Sequence, residues 1–240
     1  MSQFPYRPEP QQPGWISAST ESTLERERAF FRTVYTWMFG GLALTALASL
    51  VVVQSPALQQ LVVYNRIIPI ILMVAEIGLV FYASARLTKL SPGATAAIFI
   101  VYSLLTGLTL SVILFVYQMP SIVMAFATAS AMFGGMSIYG RVTKRDISGW
   151  GSFLIMGVIG IIVASLINLF LKSGPLDMAI ASIGVFLFAG LTAYKTQSLK
   201  QFAHAGGPQG QTFAIYGALS LYITFINLFL SILRLMGNRR

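Results

Sequence analysis

Apolar side chains gather into seven long stretches of this chain, at about 30–53, 67–86, 95–117, 120–139, 150–171, 177–195 and 212–236. Polar and charged residues fill the gaps between them. A hydrocarbon layer about 30 Å thick takes roughly 20 helical residues to cross, and each stretch is close to that length or beyond it. The runs are continuous. Strands of a membrane barrel would alternate polar and apolar positions instead. With short connections, the pattern predicts an all-α integral membrane protein, a seven-transmembrane-helix bundle. The fourth stretch is the weakest. Its AFATASAMFGGM is rich in alanine and glycine, which suits a helix packed among others.

Ahead of the first stretch, MSQFPYRPEPQQPG is polar and proline-rich. It lacks the apolar centre of a secretory signal and reads as disordered. The expected division is a proline-rich tail over 1–20 and a membrane domain over 21–240. STESTLERERAFFR follows, with Ser19, Thr20 and Ser22 as candidate helix caps and Glu25 placed as in a capping box after Ser22. It predicts a charged interfacial helix leading into the bilayer.

Composition agrees with a membrane location. Of 240 residues, 56% are hydrophobic and only 10% charged, and mean hydropathy is +0.75; a soluble domain carries about 25% charged residues. A net charge of +9 on a soluble domain would suggest nucleic acid. Here the basic residues sit between apolar stretches, so the expected partner is the lipid bilayer and no nucleic acid. With the N-terminus cytosolic, eleven of the sixteen Lys and Arg fall inside, as the positive-inside rule favours. Seven spans then put the C-terminus outside, against the pull of Arg234, Arg239 and Arg240; a re-entrant span would bring it inside. With no cysteine and a single histidine, His204, cysteine chemistry and a multi-histidine metal site are excluded, and no cofactor is expected.

Few residues carry candidate chemistry. Glu76 is the one acid deep in a span, where insertion costs about 2.5–3.5 kcal/mol for a charged residue. It must be protonated, paired or hydrated. An ion path, proton site or switch stands beside a plain hydrogen bond to a neighbouring helix. Arg86 follows about 15 Å along the same helix and reads as an anchor snorkelling to the headgroups. Lys195 lies about 27 Å of helix beyond Asp177, near the cytosolic edge, where snorkelling also suffices. The loop YGRVTKRDISGWG is basic, with Asp146 placed to cap the fifth span. INLFL occurs at 167–171 and again at 226–230. Asn168 and Asn227 are thus candidates for hydrogen bonds between helices, for the trace of a duplication, or for a pathway. Ser103, Gly107 and Ser111, and Gly157, Gly160 and Ala164, have the spacing of close helix packing. No GxSxG elbow, no pair of membrane aspartates and no glycine-rich phosphate loop is present, so no enzyme is expected. The paired helix breaks of secondary transporters are also absent.

Three segments in order, YGRVTKRDISGWGSFLIMG, FAGLTAYKTQSLK and GALSLYITFINLFLSILRLMG, resemble the Bax inhibitor-1 family in a bacterial version. The resemblance runs from about Arg28 to Gly237. It implies a seven-helix bundle around a central last helix. It implies a pH-sensitive calcium leak tied to an aspartate in each of the last two helices, with a second-helix arginine able to engage them. Some members are described instead as cell-death suppressors or as binders of membrane-anchored proteases. The family's AYDTQ reads here Ala193-Tyr194-Lys195-Thr196-Gln197, so Lys195 replaces the first aspartate. Its LYLDFINLF reads LYITFINLF, so Thr224 replaces the second. Glu76 and Arg86 match the second-helix acid and arginine. A leak for calcium or another cation is thus expected to be altered or closed. A Glu76–Lys195 ion pair, hydrogen-bonded by Thr224 and Asn227 one turn apart, is the expected lock. The alternative is a non-conducting stress or cell-death regulator that binds a membrane-anchored protease. A bacterial inner membrane is the expected location, with an organelle membrane as the alternative.

Overall fold

The computed structural model describes residues 14–65 and 67–238. These form α1 (Gly14–Gln54), α2 (Pro56–Val62), α3 (Ile68–Arg86), α4 (Pro92–Val116), α5 (Met119–Val142), α6 (Trp150–Leu171), α7 (Gly174–Leu199), a 3-10 turn (Lys200–Phe202) and α8 (Gly207–Met236). Among the described residues, seven helices are long and apolar enough to cross a membrane; α2 is too short. The seven predicted spans are all present; the last six lie within about five residues of the expected bounds, and the helix of the first begins earlier.

Serine and proline set most of the helix starts. Ser55, Ser91 and Ser173 each accept a hydrogen bond from the backbone N–H three residues on, and a proline stands at the first or second helical position of α2, α4 and α7. The hydroxyl satisfies one orphan amide of the first turn, and proline removes another. At the far end of α6, Lys172 adopts φ 50° and stops the helix.

The entry to the bundle differs from expectation. α1 begins at Gly14 and runs without a break to Gln54. It passes through residues 14–20 of the expected tail, and Ser19, Thr20 and Ser22 lie within it rather than at its start. At about 1.5 Å per residue, its 41 residues span about 60 Å, twice the hydrocarbon thickness. The charged segment is therefore one continuous helix with the first span. Residues 1–13, and Arg66, Arg239 and Arg240 of the charge count, lie outside the described residues.

α8 is the central helix. In its most apolar window 61% of residues are buried, against 6% in α3 and in α6. α1, α4, α5 and α7 pack around it, α3 lies on α4, and α6 lies on α7. Lipid tails are as apolar as leucine, so close packing and hydrogen bonds between helices must hold such a bundle together. The α1–α4 contact shows both. A β-carbon added to Gly107 would lie 2.7 Å from the Thr45 carbonyl oxygen, and one added to Gly41 would meet the Phe99 ring. Ser103, Gly107 and Ser111 are buried on this face of α4, as their spacing predicts. In return, the Thr45 hydroxyl bonds the Gly41 and Ser103 carbonyls, and the Ser49 hydroxyl bonds those of Thr45 and Gly107. Tyr222 of α8, fully buried, joins its hydroxyl to that of Thr45 and meets the rings of Phe99 and Tyr102 edge-on.

Candidate functional site

Five consecutive residues of α7 face five different surroundings, because each step around a helix turns about 100°. Ala193 is buried against Gly140 of α5, where an added β-carbon would lie 2.4 Å from the Ala193 carbonyl oxygen. Tyr194 covers Gly151 at the start of α6. Lys195 points to α8. Thr196, fully buried, bonds Ser137 of α5 at 3.2 Å, and Ser137 in turn bonds the Tyr35 hydroxyl of α1. Gln197 reaches the loop between α5 and α6. The segment is a junction of α1, α5, α6, α8 and a loop.

Lys195 Nζ donates to Thr224 Oγ1 at 2.9 Å and to the Ser220 carbonyl oxygen at 3.2 Å. Thr224 is 1% exposed and donates back to the same Ser220 carbonyl at 2.9 Å. The ammonium is thus held by two neutral oxygens of α8. Lys195 and Thr224 therefore face each other directly across α7 and α8.

The expected Glu76–Lys195 ion pair is not formed. Glu76 of α3 accepts a hydrogen bond from Thr109 Oγ1 of α4 at 2.8 Å. α3 packs on α4, whereas α7 packs on α5, α6 and α8. The two charges belong to different seams, and each has found a hydroxyl on its own neighbour. Arg86 stands exposed at the last residue of α3, as an interfacial anchor would, with no side-chain bond to Glu76, Lys195 or Thr224. Asn227 donates to the Ile223 carbonyl of its own helix at 2.8 Å and does not reach Lys195. Asn168 accepts from the Ser173 N–H at 2.9 Å and ties the turn between α6 and α7. Neither asparagine donates its expected bond to a neighbouring span.

At the loop end of α7, Gln197 Nε2 donates to the Arg145 carbonyl at 2.8 Å, and its Oε1 accepts from the Ile147 N–H at 2.9 Å. The amide holds the loop from both sides. Beside it, the Lys200 ammonium donates to the Arg141 carbonyl, and the Arg141 guanidinium lies 4.7 Å from the centre of the Phe31 ring. Asp146 does not cap α6, whose cap position is Gly149. Its Oδ1 accepts from the Ser148 N–H at 2.9 Å instead. That bond and the Ser148 hydroxyl hold the exposed carboxyl below its ordinary range. Sequence reasoning singles out Lys195 and passes over Gln197. The missed signal is spacing: residues 195 and 197 lie about 200° apart around a helix, so one facing α8 leaves the other facing away.

Chemically, the α7–α8 seam offers an ammonium, a hydroxyl and a carbonyl. Among the described residues, no cluster of three His, Cys, Asp or Glu is placed to hold a metal ion.

Residues 27–240 match the family described as Inhibitor of apoptosis-promoting Bax1. Inner membrane protein YbhL of Escherichia coli K12 is 46% identical over 217 residues, covering 89% of this chain and 93% of that protein. An uncharacterised protein of Deinococcus radiodurans is 44% identical over 94% of this chain and 96% of its own length. One of Rickettsia prowazekii is 38% identical over 89% and 91%.

Proposed function

Since this multi-pass membrane protein belongs to the Bax inhibitor-1 family, we propose that it is a cation-leak scaffold of the inner membrane held closed by Lys195, with its N-terminus cytosolic. One observation carries the reading. Lys195 and Thr224, which stand where the family's aspartates are expected, lie 2.9 Å apart across α7 and α8. Two carboxylates at that distance would share a proton and switch with pH. An ammonium on a threonine has no pair of carboxylates to share a proton. It also repels calcium. At about 5 Å and an effective dielectric of about 20, the repulsion of a divalent cation is worth several kcal/mol.

The inner-membrane location is supported by the likeness to YbhL and by the seven apolar helices. The cytosolic N-terminus is supported by the excess of Lys and Arg on the side of the 143–149 loop.

The test is calcium flux into proteoliposomes from about pH 6 to about pH 8, the range in which a proton-sharing carboxylate pair can titrate. Wild type is expected to be silent. The double variant Lys195→Asp, Thr224→Asp is expected to gain a pH-dependent leak. A wild type that already leaks would refute the closed state. Silence from both would favour the second reading, a non-conducting regulator. That reading draws on the exposed Lys144 and Arg145 of the loop gripped by Gln197, which suit an acidic face of a membrane-anchored protease.

A further inference from the structure

Among the described residues, α1 and α5 are tied together toward the C-terminal end of α5. There Tyr35 bonds Ser137, and Arg141 stacks on Phe31. Toward Gln54 and Met119 the two helices part, and a cavity of about 270 Å³ opens between them. Its wall on one side is α4, through Leu110, Ile113 and Leu114. Its floor is α8, through Phe225, Ile226 and Phe229, all buried from the surface.

We infer that this cavity is a binding site for one acyl chain of a bilayer phospholipid. Three features select that ligand. The first is a dry lining. Apart from Thr45 and Ser49 the lining is apolar, and both of those hydroxyls already bond backbone carbonyls. Water would find only the hydroxyl oxygens of Thr45 and Ser49 there, fewer partners than it needs, and cavities of this kind take apolar occupants. The second is the rim. Leu50, Met119 and Phe126 line the cavity and are about half exposed within their spans, so the opening faces lipid tails sideways. The third is depth. Met119 is the first residue of α5, and Leu50 lies one turn before the end of α1. The mouth therefore begins where the spans end, at headgroup level. A phospholipid can keep its head in the interface and turn one tail inward over α8. The volume suits a chain, since pockets for whole drug-sized molecules run from about 300 to 1,000 Å³, and no polar group inside is free to receive a head. The walls gain dispersion contacts that an empty slot would lack.

The full chain is reconstituted in vesicles of phosphatidylethanolamine with a diazirine near the end of one acyl chain. After photolysis, adducts are mapped by peptide mass spectrometry. Phe170 of α6, 82% exposed, labels in any bilayer and serves as the reference. Adducts on Phe225 and Phe229, 2% and 7% exposed, require a chain inside the cavity. Ala46, in the α1 wall, is the site for a plug. Ala46→Phe is expected to lose the Phe225 and Phe229 adducts and keep those on Phe170. If Ala46→Phe does not fold, Ala46→Leu provides a smaller plug with the same expected loss. Labelling confined to lipid-facing side chains in the wild type overturns the site. So does inner labelling that persists when a folded plug variant is used.

Discussion

INLFL occurs twice in this chain, and the two copies have opposite fates. In α6, Leu169 is 68% and Phe170 82% exposed; in α8 the matching Leu228 and Phe229 are 0% and 7% exposed. Asn168 ties a turn, and Asn227 bonds back into its own helix. Identical side chains are thus lipid-facing in one helix and core in another. In water, burial sorts apolar residues inward. In a bilayer the outside is apolar as well, so composition alone cannot say which copy is central. What differs is the rest of the helix. α8 presents Gly210, Gly217, Thr212, Thr224 and Ser231 to its neighbours, all buried, so four helices can approach it closely. α6 packs along α7, and its two ends are fastened by polar bonds, at Asn168–Ser173 and through the loop held by Gln197.

Truncation should separate the copies most sharply. Leu228→Ala removes a core side chain, with an expected loss of about 2–5 kcal/mol. Leu169→Ala removes one that faces lipid, with a change within about 0.5 kcal/mol. Reversible unfolding in mixed micelles measures both, and equal losses would end the distinction between the helices. A smaller contrast, in sign, comes from glycine. An added methyl at Gly160 of α6 meets nothing within 4 Å, whereas at Gly217 of α8 it would lie 2.7 Å from Leu199. Gly160→Ala should stabilise by up to about 1 kcal/mol through helix propensity. Gly217→Ala should destabilise by about 1 kcal/mol or more through overpacking. Melting shifts of the same sign would contradict that reading.

The smallest effect lies in the loop that fastens α6. Asp146 has a folded carboxyl held low by Ser148. A depressed acid stabilises above the unfolded value of about 4, and that contribution fades as pH falls through the folded value. Protection of the Ser148 amide, corrected for intrinsic exchange, should therefore step down in acid. Asp146→Asn should remove the step. A step that survives in the variant would assign it to another group.

Much of this architecture is legible along the chain. Span length and continuous apolarity mark all seven long helices, and a serine followed by proline marks the starts of α4 and α7. The short α2 is not marked, because seven residues carry no period of their own. The site is half legible. Lys195 and Thr224 emerge as a facing pair only through resemblance, since no rule of spacing relates residues in separate helices. The Glu76–Lys195 pair fails for the same reason. Matching opposite charges ignores which helices are neighbours, and both groups found hydroxyls nearer at hand, on Thr109 and Thr224. The Gln197 clamp leaves no trace in hydropathy, because its partners are backbone groups.

Lys195 and Gln197 share one rigid helix, and they hold on opposite sides of it. A rotation of α7 that draws the ammonium off Thr224 must also drag the amide away from Arg145 and Ile147. The helix therefore offers a mechanical route between the grip on the loop and the grip on α8. Were such a rotation to occur, a ligand that favoured one setting of the loop would shift Lys195 by the same free energy with which Lys195 shifted the affinity for that ligand.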